Sequence, residues 1–278
     1  MKRIFFCVCL IILHASCKQG NELQDNEFEI PSDGYTTPTQ YPGMNLVWQD
    51  EFDGDQLNLS DWKHEIGGHG WGNNELEYYQ PENTSVDDGY LVITAKKEDK
   101  EGKNYTSSRI ITQGKREFQY GRTDIRALLP KGQGIWPALW MLGNNINTVD
   151  WPACGEIDIM EMIGGTGKDN TVHGTAHWDS AGHHTYHGGK TTLGNNKIFA
   201  DEFHVYSITW TPTSIQWHLD DVQYYVMDTT PAELSEFQNK FYFIFNVAVG
   251  GNWPGNPDAT TTFPQRMVVD YIRVFQNP

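Results

Sequence analysis

The chain has 278 residues and a formal net charge of −16. That charge argues against nucleic acid and anionic membrane surfaces as partners, because polyanion binding needs clustered Lys and Arg to displace counterions, and it favours a neutral substrate over a sulfated or carboxylated polymer. No long stretch carries the i, i+3, i+4, i+7 apolar spacing of an amphipathic helix, while Gly, Asn and aromatic residues are plentiful, so strands and turns should dominate.

In chain order, Met1-Lys2-Arg3, the apolar run from Ile4 to Leu13 and the small residues Ala15 and Ser16 form a secretory leader, too short to span a bilayer. Cys17 follows directly and resembles the acylated cysteine of the bacterial lipoprotein motif, with His14 standing where Leu is usual. The expectation is a secreted protein or a cell-surface (outer-membrane) lipoprotein, touching the membrane only through that N-terminal lipid anchor. Residues 18–44 are polar, acidic and rich in turn formers, and read as a flexible linker. Residues 45–278 show no second linker and no repeat, so they are expected to form one domain that acts as a monomer. Cys154 is the one cysteine beyond the leader, which leaves that domain without an internal disulfide.

Within the domain, alternation and β-branched or aromatic content predict strands at 90–96, 121–128, 135–142, 156–162, 172–178, 204–210, 214–219, 241–249 and 266–275. Many short strands without helices between them predict an all-β sandwich of two antiparallel sheets, a jelly roll, or a closed barrel. The ten tryptophans would mostly serve a core, although a sheet curved into an open groove would let some of them meet sugar rings.

The stretch Gly155–Met162 (GEIDIMEM) carries the chemistry. Residues two apart on a strand share a face, so Glu156 and Asp158 project together while Ile157 and Ile159 point into apolar packing. Glu161 has the wrong parity, and burying an unpaired carboxylate under the sheet would be costly. A β-bulge around Ile159 and Met160 absorbs one residue and returns Glu161 to the carboxylate face. Three acids side by side then suit retaining glycoside hydrolysis, which needs one ionised carboxylate to attack the anomeric carbon and one protonated carboxyl for the leaving oxygen. On this reading Glu156 is the nucleophile, Asp158 sits beside it as its orienter, and Glu161 is the general acid/base. The same acids would also fit a solvated strand face or a calcium site.

The run Glu156–Glu161 resembles the signature of glycoside hydrolase family sixteen, laminarinase type. Further matching segments are Val47–Phe52 (VWQDEF), Trp71–Glu75 (WGNNE), Gly134–Leu142 (GIWPALWML) and Asn246–Pro254 (NVAVGGNWP), so the resemblance covers about residues 45–276. It implies a concanavalin-like β-jelly-roll sandwich, an open substrate cleft on the concave sheet, and retaining endo-hydrolysis of a neutral β-glucan such as laminarin or mixed-linkage β-1,3/1,4-glucan. It also implies that Trp136 and Trp140 flank the cleaved bond, that Trp253 is a glycone platform, that Asn73 and Arg109 bind sugar hydroxyls, and that His177 stands close to the acid/base. From the residues alone, Trp140 suits core or cleft, Asn73 suits a loop cap, and Arg109 suits a structural ion pair. No cofactor is required; the resemblance does imply a structural calcium held by Glu51, Gly89 and Asp270. A zinc reading of His173 with His177, or of His183, His184 and His187, lacks the helix that an i, i+4 pair needs. A lectin with the same sandwich, or an enzyme for another neutral β-glycan such as galactan or agarose, are the rival readings. Strand patterning leaves the choice between pure β-1,3-glucan and mixed-linkage glucan open.

Overall fold

Runs of β-branched and aromatic residues broken by Gly, Asn and Asp give short strands joined by tight turns. A computed structural model describes residues 28–278; the leader and Cys17 lie outside the described residues. Among them the strands are β1 (Asn45–Asp50), β2 (Lys63–Glu65), β3 (Glu77–Tyr79), β4 (Thr84–Asp87), β5 (Tyr90–Ala95), β6 (Tyr105–Ser107), β7 (Arg109–Ile111), β8 (Gly121–Leu128) and β9 (Ile135–Gly143). There follow one short helix, α1 (Ile146–Val149), then β10 (Glu156–Glu161), β11 (Thr171–Ser180), β12 (His183–Thr192), β13 (His204–Trp210), β14 (Ser214–Leu219), β15 (Val222–Asp228), β16 (Phe241–Val249) and β17 (Gln265–Gln276).

Two antiparallel sheets hold nearly all of them. One runs β15-β14-β13-β8-β17-β5-β4, with β1 also on β17; the other runs β12-β11-β10-β9-β16-β7-β2. The expected sandwich is therefore present, and all nine predicted strands appear with ends shifted by a residue or two at most. Alternate residues of the inner faces, among them Trp48, Trp62, Trp178, Trp210, Trp217, Phe243 and Phe245, fill the space between the sheets. Strand β16 is buried along its whole length, because its second face, with Tyr242 and Ile244, packs under a smaller apolar cluster that also takes in Leu142 and Cys154.

Residues 31–278 form one compact unit, and residues 1–30 are assigned to another that falls almost wholly outside the described residues. The flexible linker expected over 18–44 is thus corrected from Pro31 onward, where the chain is a strap on the β8–β17 sheet. Tyr41 donates to Asp124 at 2.7 Å, Tyr35 to Asp221 at 2.8 Å, and the Thr37 amide to Tyr271. Arg126 donates to the Tyr35 carbonyl at 2.7 Å. Gly34 is required there, since a Cβ would sit 2.1 Å from the Phe203 carbonyl oxygen. Partners 83 to 234 residues away in sequence anchor a segment whose own composition is polar and turn-rich.

Candidate active site

The odd spacing between Asp158 and Glu161 is resolved as a bulge. On one side Asp158 pairs with Thr175 and Glu161 with His173, so three steps on β10 meet two on β11. On the other, Asp158 pairs with Trp140 and Met160 with Leu139. Ile157, Ile159 and Met160 all turn into the core, which leaves Glu156, Asp158 and Glu161 together on the concave face, lining a cleft of about 940 Å³. The opposing sheet secures the kink: the fully buried Trp217 of β14 donates its indole N–H to the Asp158 carbonyl at 2.8 Å. Room for that indole comes from Gly174 on β11, where a Cβ would lie 2.3 Å from Trp217 Cδ1.

Each outer carboxylate receives one indole. Trp151 Nε1 donates to Glu156 Oε2 at 3.0 Å, and Trp136 Nε1 donates to Glu161 Oε1 at 3.0 Å. Asp158 is in hydrogen-bonding contact with Glu161, which for two carboxyl groups requires a shared proton. Asp158 also stands beside Glu156, within 4.8 Å, and raises its pKa through charge.

Burial raises all three carboxyls above their ordinary range. For Glu161, held well above it, the charge of Asp158 is the next cause. For Glu156 the charge of Asp158 also raises, while His177 and the Trp151 N–H oppose the rise. Glu161 is thus the member placed to keep a proton, while Glu156, pushed up to about 8, is the one whose rise His177 and an indole N–H oppose.

Trp136 and Trp140 both line the cleft. Trp140 donates to Asn246 at 2.8 Å, Asn246 donates to the Tyr79 hydroxyl, and the fully buried Tyr79 donates to Glu75 at 3.0 Å. Neither Tyr78 nor Tyr79 lines the cleft. Asn73 reaches the cleft wall and donates to Glu75. Arg109 forms the structural ion pair, with Glu65, and lays its guanidinium 4.8 Å from both the Trp71 and Trp140 rings. Trp253 stands exposed at the cleft edge, in edge contact with Trp136 and His173. Altogether five of the ten tryptophans line the cleft (71, 136, 140, 151 and 253) and five are core, a larger cleft share than expected.

His177 stands among the three acids and acts on the Glu161 carboxyl as well. It pairs across the ladder with Glu156, with Nε2 3.0 Å from Asp158 Oδ2 and 3.7 Å from Glu156 Oε1. The residue opposite the acid/base Glu161 is His173. Trp151, Trp71, Glu75, Asn246, His184 and Tyr186 are cleft residues that sequence reasoning did not single out. Trp151 left one signal, a large aromatic in a polar loop just before the acidic strand.

The calcium ligands implied by resemblance do not fit a cation as they stand. Both Glu51 oxygens accept from Arg273 at 2.7 Å, and Asp270 Oδ2 accepts from Arg126 at 2.7 Å. Two guanidinium charges therefore occupy the carboxylates that a dication would need. Among the described residues, the one cluster of three possible side-chain metal ligands is Glu156, Asp158 and His177, within the acid site itself.

The family described as glycosyl hydrolases family 16 matches residues 73–273. The chain is 42% identical over 254 residues to a beta-glucanase of Rhodothermus marinus, covering 84% of this chain and 86% of that one. It is 30% identical over 294 residues to a beta-1,3-glucan-binding protein of Penaeus monodon, covering 81% and 79%. Among solved structures, the catalytic domain of an endo-1,3-beta-glucanase (laminarinase) from Thermotoga petrophila superposes with a TM-score of 0.77 at 48% identity, covering 84% of this chain and 98% of that one. Some curated relatives are longer, and the chain spans 34% of one and 39% of another.

Proposed function

The chain belongs to glycosyl hydrolases family 16, and from that premise we propose that it is a retaining endo-β-glucanase, cutting internal β-1,3 or β-1,4 bonds of laminarin or mixed-linkage β-1,3/1,4-glucan. Glu156 attacks the anomeric carbon while Glu161 gives its proton to the leaving glycosidic oxygen, forming a glycosyl ester on Glu156. Glu161 then takes a proton from water, the water oxygen attacks the same carbon, and the Glu156 carboxylate leaves. Two inversions retain the anomeric configuration. The two carboxyl groups and water suffice, so no cofactor enters.

The observation that carries this reading is the bulge, because it alone puts Glu161 in the cleft beside Asp158 while Glu156 keeps separate donors. Exposed and half-buried indoles at 71, 136, 140 and 253 offer flat faces to glucosyl rings, and Asn73 stands on the same wall for their hydroxyls. A glucan-binding protein is among the relatives, and the acid pair separates hydrolysis from binding. Glu156→Gln and Glu161→Gln are expected to abolish turnover of laminarin and of cereal mixed-linkage glucan while oligosaccharides still bind. Hydrolysis surviving either change would reject the mechanism, and linkage-typing of wild-type fragments decides between the two glucans.

Export is part of the proposal, supported by the charged start, apolar run and Cys17 of the leader. Cys17→Ser should move the protein from the membrane to the soluble fraction; unchanged partition would leave the leader as an ordinary signal.

A further inference from the structure

His184 lines the cleft but has no part in the two-carboxylate scheme. It stands on β12, across the ladder from Asp179, with Nε2 2.9 Å from His177 Nδ1. Its ring also packs against Trp151, centroid to centroid 4.5 Å. Trp151 is the indole that donates to Glu156 Oε2, and His177 is the imidazole that faces Asp158 and Glu156. Two groups that reach the nucleophile thus lean on one side chain.

With the His177 ring neutral, counting hydrogens fixes the polarity of this chain. A neutral imidazole carries one N–H, and the bond made by one ring nitrogen decides which nitrogen holds it. Asp158 Oδ2 is buried and lacks an aligned donor, and His177 Nε2, 3.0 Å away, is the group in reach. The hydrogen of His177 belongs on that nitrogen, since Nε2 lies 3.0 Å from Asp158 Oδ2 and 3.7 Å from Glu156 Oε1, and beside two carboxylates an N–H is favoured over a lone pair. His177 Nδ1 must then accept, and His184 Nε2 must donate. Burial lowers the pKa of His184.

We propose that His184 is a positioning residue: it donates to His177 Nδ1, fixes His177 with its hydrogen on Nε2 toward Asp158 and Glu156, and braces Trp151 on Glu156. This rests on the catalytic assignment above. The titratable groups around it are His177 and Asp179 on β11, Tyr186 on its own strand and, through His177, Asp158 and Glu156.

The test uses the full chain labelled with nitrogen-15 histidine, and two variants. Long-range proton–nitrogen spectra of the wild type should place the His177 hydrogen on Nε2 and that of His184 on Nε2. His184→Phe keeps a ring against Trp151 without an N–H; it should lose the His177 preference, shift the acid limb of the kcat profile and lower kcat roughly tenfold with KM little changed, as loss of an outer partner that fixes an imidazole costs about 10–100-fold at metal sites. His184→Gln presents an amide N–H to the same place and should restore most of the rate and the profile. A wild-type spectrum with the His177 hydrogen on Nδ1, or a His184→Phe enzyme with unaltered kcat and pH profile, overturns the proposal. Wild-type inactivity on both glucans would instead overturn the functional assignment, and the tautomers are read without substrate.

Discussion

Trp217 and Asp158 belong to opposite sheets, yet the indole N–H of one bonds the main-chain carbonyl of the other at 2.8 Å, so the bulge in the acidic strand is fastened from across the core. Trp217→Phe keeps most of the volume but leaves a buried carbonyl without its donor, a loss of about 1–3 kcal/mol. Thermal melting should register that loss, and kcat should fall with it because Glu161 owes its place to the bulge. Full activity with a lowered melting temperature would separate the anchor from catalysis.

The acid cluster makes stability depend on pH. Asp158 is raised by burial to about 8, so the folded chain holds that proton more tightly than the unfolded one does. Between the ordinary carboxylate pKa, near 4, and the raised value the native state binds more protons, and stability falls as pH rises through that window. Asp158→Asn removes this contribution. Its melting temperature should exceed that of the wild type, by more at about pH 8 than at about pH 5; a gain that shrinks with rising pH contradicts the assignment.

Trp253 is exposed at the cleft edge and touches neither catalytic carboxylate directly, meeting Trp136 and His173 instead. Its stacking should act on substrate binding in ground and transition states alike. Trp253→Ala is expected to raise KM about 3–10-fold, corresponding to roughly 0.5–1.5 kcal/mol of lost aromatic contact, with kcat little changed. Steady-state kinetics on laminarin measure it, and a fall in kcat at constant KM would place Trp253 in the chemistry.

Arginine pairs stand at the carboxylates where resemblance implies calcium. Chelation with EDTA, or addition of calcium, should therefore leave the melting temperature unchanged, whereas Arg273→Met should lower it by leaving Glu51 without its two donors. A melting temperature that rises with calcium would restore the metal site.

Much of this was legible before any coordinates. Alternation located the central strands because one or both of their faces are buried, and the cost of a misplaced carboxylate at residue 161 was enough to require the bulge. Strand β12 (HHTYHGGKTT) escaped because an exposed edge strand has no apolar face to alternate with. The bulge could be inferred, but which histidine pairs with which acid could not: the register sets His177 opposite Glu156 and His173 opposite Glu161. Trp151 and the strap from Pro31 onward are held by partners far along the chain or on other loops, and composition carries no trace of such contacts.

The central claim, that Glu156 is the residue which becomes covalently bonded to sugar, is tested most directly by trapping. Treatment with a 2-deoxy-2-fluoro glucosyl or laminaribiosyl fluoride should inactivate the enzyme, and mass spectrometry of its peptides should find one glycosyl group, carried by Glu156. A label on Glu161 or Asp158, or brisk inactivation with no label on the strand at all, would contradict the account.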